Sequence, residues 1–124
     1  MAAAAVAELL GGSPELALSA ASTAISNLLG LVCDPVRGLV EHPCQDRNAI
    51  GAANAIVSAQ LALSGALDPL PFDEVVAALK SVGASLPTAL RETALGGLAA
   101  APSAQTACSR CRGCMSLFEG SRVR

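Results

Sequence analysis

The segment over residues 33–54 constrains the fold more than any other part of the chain. Its sequence is CDPVRGLVEHPCQDRNAIGAAN, which joins two cysteines, two prolines and two glycines to the start of an apolar run. A proline restricts its own backbone and that of the preceding residue, so Asp34-Pro35 and His42-Pro43 favour extended or turn conformations. We therefore predict an irregular loop that carries both thiols. Residues 45–48 lead from it into a helix over residues 49–66.

The rest of the chain shows helical patterns only. Ser13 is a good N-cap residue, with Pro14 and Glu15 in the first turn after it. Further helices are predicted over residues 2–10, 13–31, 72–83 and 86–94. In the helix over residues 72–83, Asp73 is the predicted N-cap and Gly83 the predicted end. No alternating pattern of apolar and polar residues indicates a strand. We predict an all-α fold, a bundle-like set of helices with the cysteine-bearing loop between two central ones.

Composition excludes several classes of function. The net charge is −2 and aromatic residues make up 2% of the chain, whereas nucleic-acid binding favours basic stripes and stacking rings. No run reaches the roughly 20 strongly apolar residues of a membrane span, and the N-terminus lacks the basic region of a signal peptide. Five cysteines fit poorly with a disulfide framework. We therefore expect a cytoplasmic protein that binds neither nucleic acid nor membrane.

The residues alone leave three interpretations open for Cys33 and Cys44. Free cysteines often behave as small buried apolar residues. Alternatively both are thiolate ligands of a metal or cluster, although their spacing is not one of the common iron–sulfur runs. A disulfide is less attractive, because nothing else in the chain indicates secretion.

A resemblance favours the second interpretation. The order CDPVxGLVxxPCxxRNAIGAANA, with PFDEVV at residues 71–76 and LRETALGGLA at residues 90–99, resembles the C-terminal part of the alpha chain, or alpha-type domain, of iron–sulfur-dependent L-serine dehydratases. It implies that three cysteines hold a 4Fe-4S cluster with one iron open to substrate, and that Cys33 and Cys44 are two of them. The third cysteine and a histidine base would then lie outside this chain. We therefore expect residues 1–102 to be a truncated catalytic domain that is inactive alone.

The resemblance also implies a reaction and partners. L-serine would lose water to give pyruvate and ammonia, and the chain would associate with the remainder of the alpha domain and with a beta chain or beta-type domain, as a homo- or hetero-oligomer. Arg47 and Asn48 are predicted to bind the substrate carboxylate, because they follow Cys44 at the start of a helix. His42 is interpreted as incidental, and Arg91 with Glu92 as a structural pair.

The C-terminal residues 103–124 depart from the family pattern. They contain Cys108, Cys111 and Cys114 in a CxxCxxC run, with neighbouring arginines that would favour thiolates. We predict a flexible tail with reactive secondary thiols. The alternative function is a non-catalytic helical protein that binds zinc or a partner through this run, although zinc would need a fourth ligand from elsewhere.

Overall fold

The computed structural model of the chain describes residues 1–66 and 69–106, and within these residues it is helical without a strand. The described helices are α1 (Ala2–Leu9), α2 (Pro14–Ser26), α3 (Cys44–Ser64), α4 (Phe72–Ser85) and the short α5 (Pro102–Thr106). Three 3₁₀ turns lie at Val36–Gly38, Thr88–Leu90 and Gly97–Ala100. The predicted all-α class is confirmed. No helix in the described part of the chain combines the length and apolar character that a bilayer span needs.

The chain divides into two compact units. The first comprises Met1–Leu31 and Gln45–Leu86, and the second comprises Val32–Cys44 together with the described residues from Pro87 onward. The first unit contains α1, α2, α4 and nearly all of α3. The second contains the cysteine-bearing loop, both of the described 3₁₀ turns that follow α4, and α5.

Alanine side chains form the centre of the first unit. Small side chains allow the backbones of neighbouring helices to approach closely, so this core is built from methyl groups and helix backbone rather than from large apolar side chains. Val6, Ala17 and Ala24 pack against it. The buried residues of the cluster are Ala3, Ala7, Ala20, Ala55, Ala59 and Ala62.

A polar contact joins α3 to the end of α2. The Asn54 side chain donates from Nδ2 to the Ala24 carbonyl at 2.9 Å, and its Oδ1 accepts from Asn27 Nδ2 at 2.7 Å. Ser58 Oγ donates to the same Oδ1 at 3.2 Å. Asn54 thus supplies a donor to one of the last carbonyls of α2, which have no partner within their own helix.

Side-chain hydrogen bonds also explain why α2 is shorter than predicted. The helix ends at Ser26 instead of residue 31. Thr23 and Ser26 donate their hydroxyls to carbonyls four residues earlier, and Asn27 is engaged with Asn54. Such bonds compete with the regular backbone ladder. Gly30 then adopts a φ of +80°, which completes the departure from the helix.

Two other predicted helices have different bounds. α3 begins at Cys44, so the prediction that residues 45–48 only lead into the helix was wrong, and Gly65, at φ +65°, ends it. α4 continues through Gly83 to Ser85. Its N-cap is Pro71, and Asp73 lies inside the first turn instead of capping it.

The predicted helix over residues 86–94 is absent. Pro87 forces Leu86 into an extended conformation (ψ 138°), and only one 3₁₀ turn follows. Glu92 adopts a φ of 57°, in the left-handed region, and Thr93 donates its hydroxyl to the Ala89 carbonyl. The left-handed backbone of Glu92 is incompatible with a regular helix at this point.

Part of the α3 surface is apolar and exposed. Ile50 and Val57 lie seven residues apart on one face of the helix and are 65% and 50% exposed, respectively. Exposed apolar side chains that share a face promote association in water.

We expect the double variant Ile50→Lys/Val57→Lys to self-associate less than the wild-type chain, with a melting temperature changed by no more than about 2 °C, because neither side chain belongs to the core. Light scattering and thermal unfolding measure both properties. The matched control is Gln60→Lys/Ala84→Lys, which adds the same charge at exposed positions without removing large apolar side chains. Equal association of the two variants would show that charge, and not the apolar face, governs it.

The N-terminus of α2 is capped as the sequence predicts. Ser13 has an extended backbone and its Oγ accepts from the Leu16 N–H at 3.4 Å. The hydrogen bond from Ser13, together with the backbone N–H of Glu15 itself, lowers the pKa of the Glu15 carboxyl.

Replacing Ser13 by Ala should lower the free energy of unfolding at pH 7 by about 1 kcal/mol, as for other N-cap residues. Glu15 contributes only when ionised, because its pKa is lowered in the folded state. The difference between variant and wild type should therefore narrow as the pH falls below the ordinary glutamate range and through the lowered pKa of Glu15 in the folded state. Urea unfolding at several pH values measures this. A difference that widens in acid would contradict the capping interaction.

Candidate functional site

The two cysteines of the predicted site lie in the second unit. Cys33 is exposed and precedes the loop, whereas Cys44 is half-buried and is the first residue of α3. Neither forms a disulfide. Cys33 therefore lies on irregular backbone as predicted, but the same prediction for Cys44 was wrong. The exposure of Cys33 also argues against a role as a buried apolar residue.

A backbone hydrogen bond closes the loop between the cysteines. The Val36 N–H donates to the His42 carbonyl at 2.9 Å, and the 3₁₀ turn Val36–Gly38 reverses the chain between them. Arg37 and Gly38 are both left-handed, with φ of 58° and 74°. The His42-Pro43 peptide is cis, and both prolines of the loop are buried. The prolines thus lie on the protein side of the loop while Cys33 faces solvent.

The loop is anchored to the segment that follows α4. The Cys33 N–H donates to the Leu90 carbonyl at 2.9 Å. The next side chain, Asp34, is only 1% exposed, and its Oδ2 accepts from the Leu98 N–H at 2.6 Å. The sequence Asp34-Pro35 predicted only an extended or turn conformation for Asp34. The pair Gly96-Gly97 was the one local signal that a backbone segment approaches another group closely.

Helix α5 attaches to the same loop. Arg37 Nη1 donates to the Gln105 carbonyl at 3.5 Å, and Gln105 Nε2 donates to the Ala99 carbonyl at 2.9 Å. Ala104 is buried. Residues 103–106, which we assigned to the tail, thus form part of this helix, whereas Cys108, Cys111 and Cys114 lie outside the described residues. A cleft of about 470 Å³ lies within this unit, lined by Val36, His42, Leu98, Ala101, Ser103, Ala104 and Thr106.

Arg47 and Asn48 lie in the first turns of α3. They follow Cys44 by three and four residues, the spacings that place side chains on one face of a helix. Arg47 is half-buried and Asn48 is exposed. Asn48 is the fifth residue of α3, so its backbone N–H has an acceptor within the helix, and only its side chain can serve an anion.

The segment 91–92 carries a second polar pair. Arg91 Nη2 donates to Thr88 Oγ1 at 3.3 Å, and Glu92 is exposed with a left-handed backbone. The Arg91 contact stays within its own turn, in keeping with a structural role for that side chain.

The described residues do not contain three potential metal donors in one group. Cys33 and Cys44 provide two soft thiol ligands of the kind that iron–sulfur clusters use, at the two ends of one short loop. The donor chemistry therefore fits such a cluster, and a third ligand would have to come from outside the described residues.

Comparison with known proteins identifies the family. Residues 1–99 match the family model described as the serine dehydratase alpha chain, which covers both cysteines and the Asp34–Leu98 contact. The chain therefore belongs to the serine dehydratase alpha chain family.

Individual relatives are similar to most of this chain but are longer. A probable L-serine dehydratase alpha chain of Latilactobacillus sakei is 57% identical over 102 residues, which are 82% of this chain and 49% of the relative. The L-serine dehydratase alpha chain of Peptoniphilus asaccharolyticus is 59% identical over 105 residues, 85% of this chain and 36% of that protein. L-serine dehydratase 1 of Escherichia coli is 46% identical over 100 residues, 80% of this chain and 22% of that protein. The chain thus spans half or less of the length of these relatives.

Proposed function

We propose that this chain forms part of the catalytic site of an L-serine dehydratase that uses a 4Fe-4S cluster. The observation that carries the proposal is the family match over residues 1–99, which includes the loop from Cys33 to Cys44. The reaction would be β-elimination of water from L-serine, followed by hydrolysis of the resulting imine to pyruvate and ammonia. The bound cluster would supply a Lewis-acidic iron for the serine hydroxyl, which is a poor leaving group.

The role of the cysteine loop is to present two thiolates in fixed positions. Cys33 is held through its own backbone N–H, which donates to the Leu90 carbonyl. Cys44 is held as the first residue of α3. The bond from Val36 to His42 closes the backbone between them, so that little conformational entropy remains to be lost when both thiols bind the same group.

Substrate binding is proposed for Arg47 and Asn48. Arg47 would attract the serine carboxylate through its charge, and the Asn48 amide would donate a hydrogen bond to it. Their spacing from Cys44 within α3 supports this assignment, because both side chains project from the helix face on which the thiol lies.

Other components would complete the enzyme. The histidine base that removes the α-proton and the third cysteine ligand are assigned to residues outside this chain, in the remainder of the alpha domain. The complex would be a homo- or hetero-oligomer in the cytoplasm.

The proposal can be tested with a chimera in which residues 1–99 replace the matching segment of the Escherichia coli relative. After anaerobic reconstitution with iron and sulfide, we expect pyruvate formation from L-serine. Cys33→Ser and Cys44→Ser should each lose iron and visible absorbance. Their activity should fall by more than the roughly 10- to 100-fold that is typical when a group that only orients a metal ligand is removed.

The matched control is Val40→Ser, at a well-exposed position of the same loop, which should leave iron content and activity unchanged. A folded wild-type chimera without activity would refute the proposed function. Cysteine variants that keep their iron would refute the ligand assignment alone.

In the same chimera, Asn48→Ala should raise KM for L-serine by roughly tenfold or more, the scale of a hydrogen bond to a charged group, with a smaller change in kcat. Gln45→Ala is the control, because Gln45 is an exposed amide on the same helix at a spacing that does not share the face of Cys44. Steady-state kinetics measure KM and kcat for L-serine in the Asn48→Ala and Gln45→Ala variants. If both variants have the KM of the parent chimera, Asn48 does not bind substrate.

A further inference from the structure

The most buried charged side chain among the described residues belongs to neither predicted site. Asp34 is 1% exposed, and an ionisable side chain is rarely buried to this extent unless it is paired. Its carboxyl oxygen Oδ2 lies 2.6 Å from the Leu98 nitrogen and accepts a short hydrogen bond from it. This bond joins residues 64 positions apart in the chain.

The segment opposite Asp34 is shaped to receive the carboxylate. Gly97 has a φ of 57°, which favours glycine. A Cβ at this position would lie 2.9 Å from Asp34 Cγ and 3.0 Å from Asp34 Cβ, and would overlap with Oδ2. Any larger residue would therefore displace the carboxylate, in addition to straining the backbone. The glycine allows the Leu98 N–H to reach Asp34.

Cys33 is fixed by contacts on both sides of its Cα. Its own N–H donates to the Leu90 carbonyl at 2.9 Å, and on its C-terminal side the Asp34 side chain is held by Leu98. The buried Pro35 follows, with a restricted φ. The backbone N–H of Cys33 and the side chain of the next residue are therefore both held, which restricts the direction of the Cys33 Cα–Cβ bond and presents the thiol outward.

We propose that Asp34 is the positioning residue for Cys33: through Leu98 it fixes the direction from which this thiol ligates the cluster. The inference rests on the proposed function, since it assumes that Cys33 is a ligand. Asp34 acts through the backbone and does not itself bind the cluster or substrate. The outer groups that orient metal ligands typically change metal affinity or activity by 10- to 100-fold when they are removed.

The first test uses the metal-free 124-residue chain. Trypsin cleavage after Arg37 and Arg47 places Cys33 and Cys44 in separate peptides, so mass spectrometry can follow the alkylation of each thiol by iodoacetamide. In Asp34→Ala, we expect the alkylation rate of Cys33 to change by more than threefold while that of Cys44 stays the same. Hydrogen exchange of the Leu98 amide should be faster by about 10- to 100-fold.

Two further variants make the test independent of one substitution. Asp34→Asn keeps an oxygen that can accept from Leu98 but loses the charge, so it should lie between wild type and Asp34→Ala in both measurements. Gly97→Ala should disrupt the same contact, because its Cβ would displace the Asp34 carboxyl group. It should therefore change the alkylation rate of Cys33 as Asp34→Ala does. Its control is Gly65→Ala, which has a similar left-handed φ of 65° but open space around the added Cβ. If Asp34→Ala does not fold, these variants carry the test.

The second test uses the chimera described above. Asp34→Ala should shorten the lifetime of the cluster absorbance in air and alter its electron paramagnetic resonance spectrum, with partial recovery in Asp34→Asn. Positioning is refuted if both thiols change equally in the metal-free chain, or if neither changes. A wild-type chimera that takes up no iron would instead refute the proposed function, while the thiol measurements would still report on positioning.

Discussion

The hydrogen bond between the Asp34 carboxylate and the Leu98 N–H is the interaction on which the second unit depends. Among the described residues of this unit, the buried side chains besides that of Asp34 are small: they are those of Pro35, Pro43, Ala99 and Ala104. These residues bury little apolar area. A hydrogen bond that joins residues 64 positions apart therefore has a large share in holding the described part of this unit together.

Hydrogen bonds to backbone groups hold the cysteine loop at three points. The Leu90 carbonyl, the His42 carbonyl and the Leu98 N–H each fix one point along it. This arrangement suits a ligand-bearing loop, because backbone anchors leave the cysteine side chains free to face a bound group. In the first unit, by contrast, close packing of side chains holds the helices together, and Asn54 provides a polar contact between α2 and α3.

Local signals predicted the helices well and their ends poorly. Alanine-rich periodicity and the Ser13 cap gave α1 and the start of α2, whereas the end of α2 depends on the contact between Asn27 and Asn54, which are distant in sequence. The helix predicted after Pro87 is absent because Leu86 is extended and Glu92 is left-handed, which helix propensity does not capture. For the site, the prolines indicated the irregular loop, and the family resemblance indicated that its cysteines are ligands. The pair Gly96-Gly97 indicated a close approach of the backbone, but no local signal identified Asp34, which is distant in sequence, as the group that it approaches.

Because the core of the first unit consists of alanine side chains, substitutions there can add volume but can remove almost none. Most cores can lose volume at any of several large side chains, and truncation leaves a cavity whose cost depends on relaxation. Here the six buried positions already carry a single methyl group, so there is almost nothing left to remove. Each added methylene must instead push two helix backbones apart, which is the costly direction for a close-packed interior. The separation between the helix axes is thus specified by the smallest chiral side chain, and sequence change in this unit is confined to its outer faces.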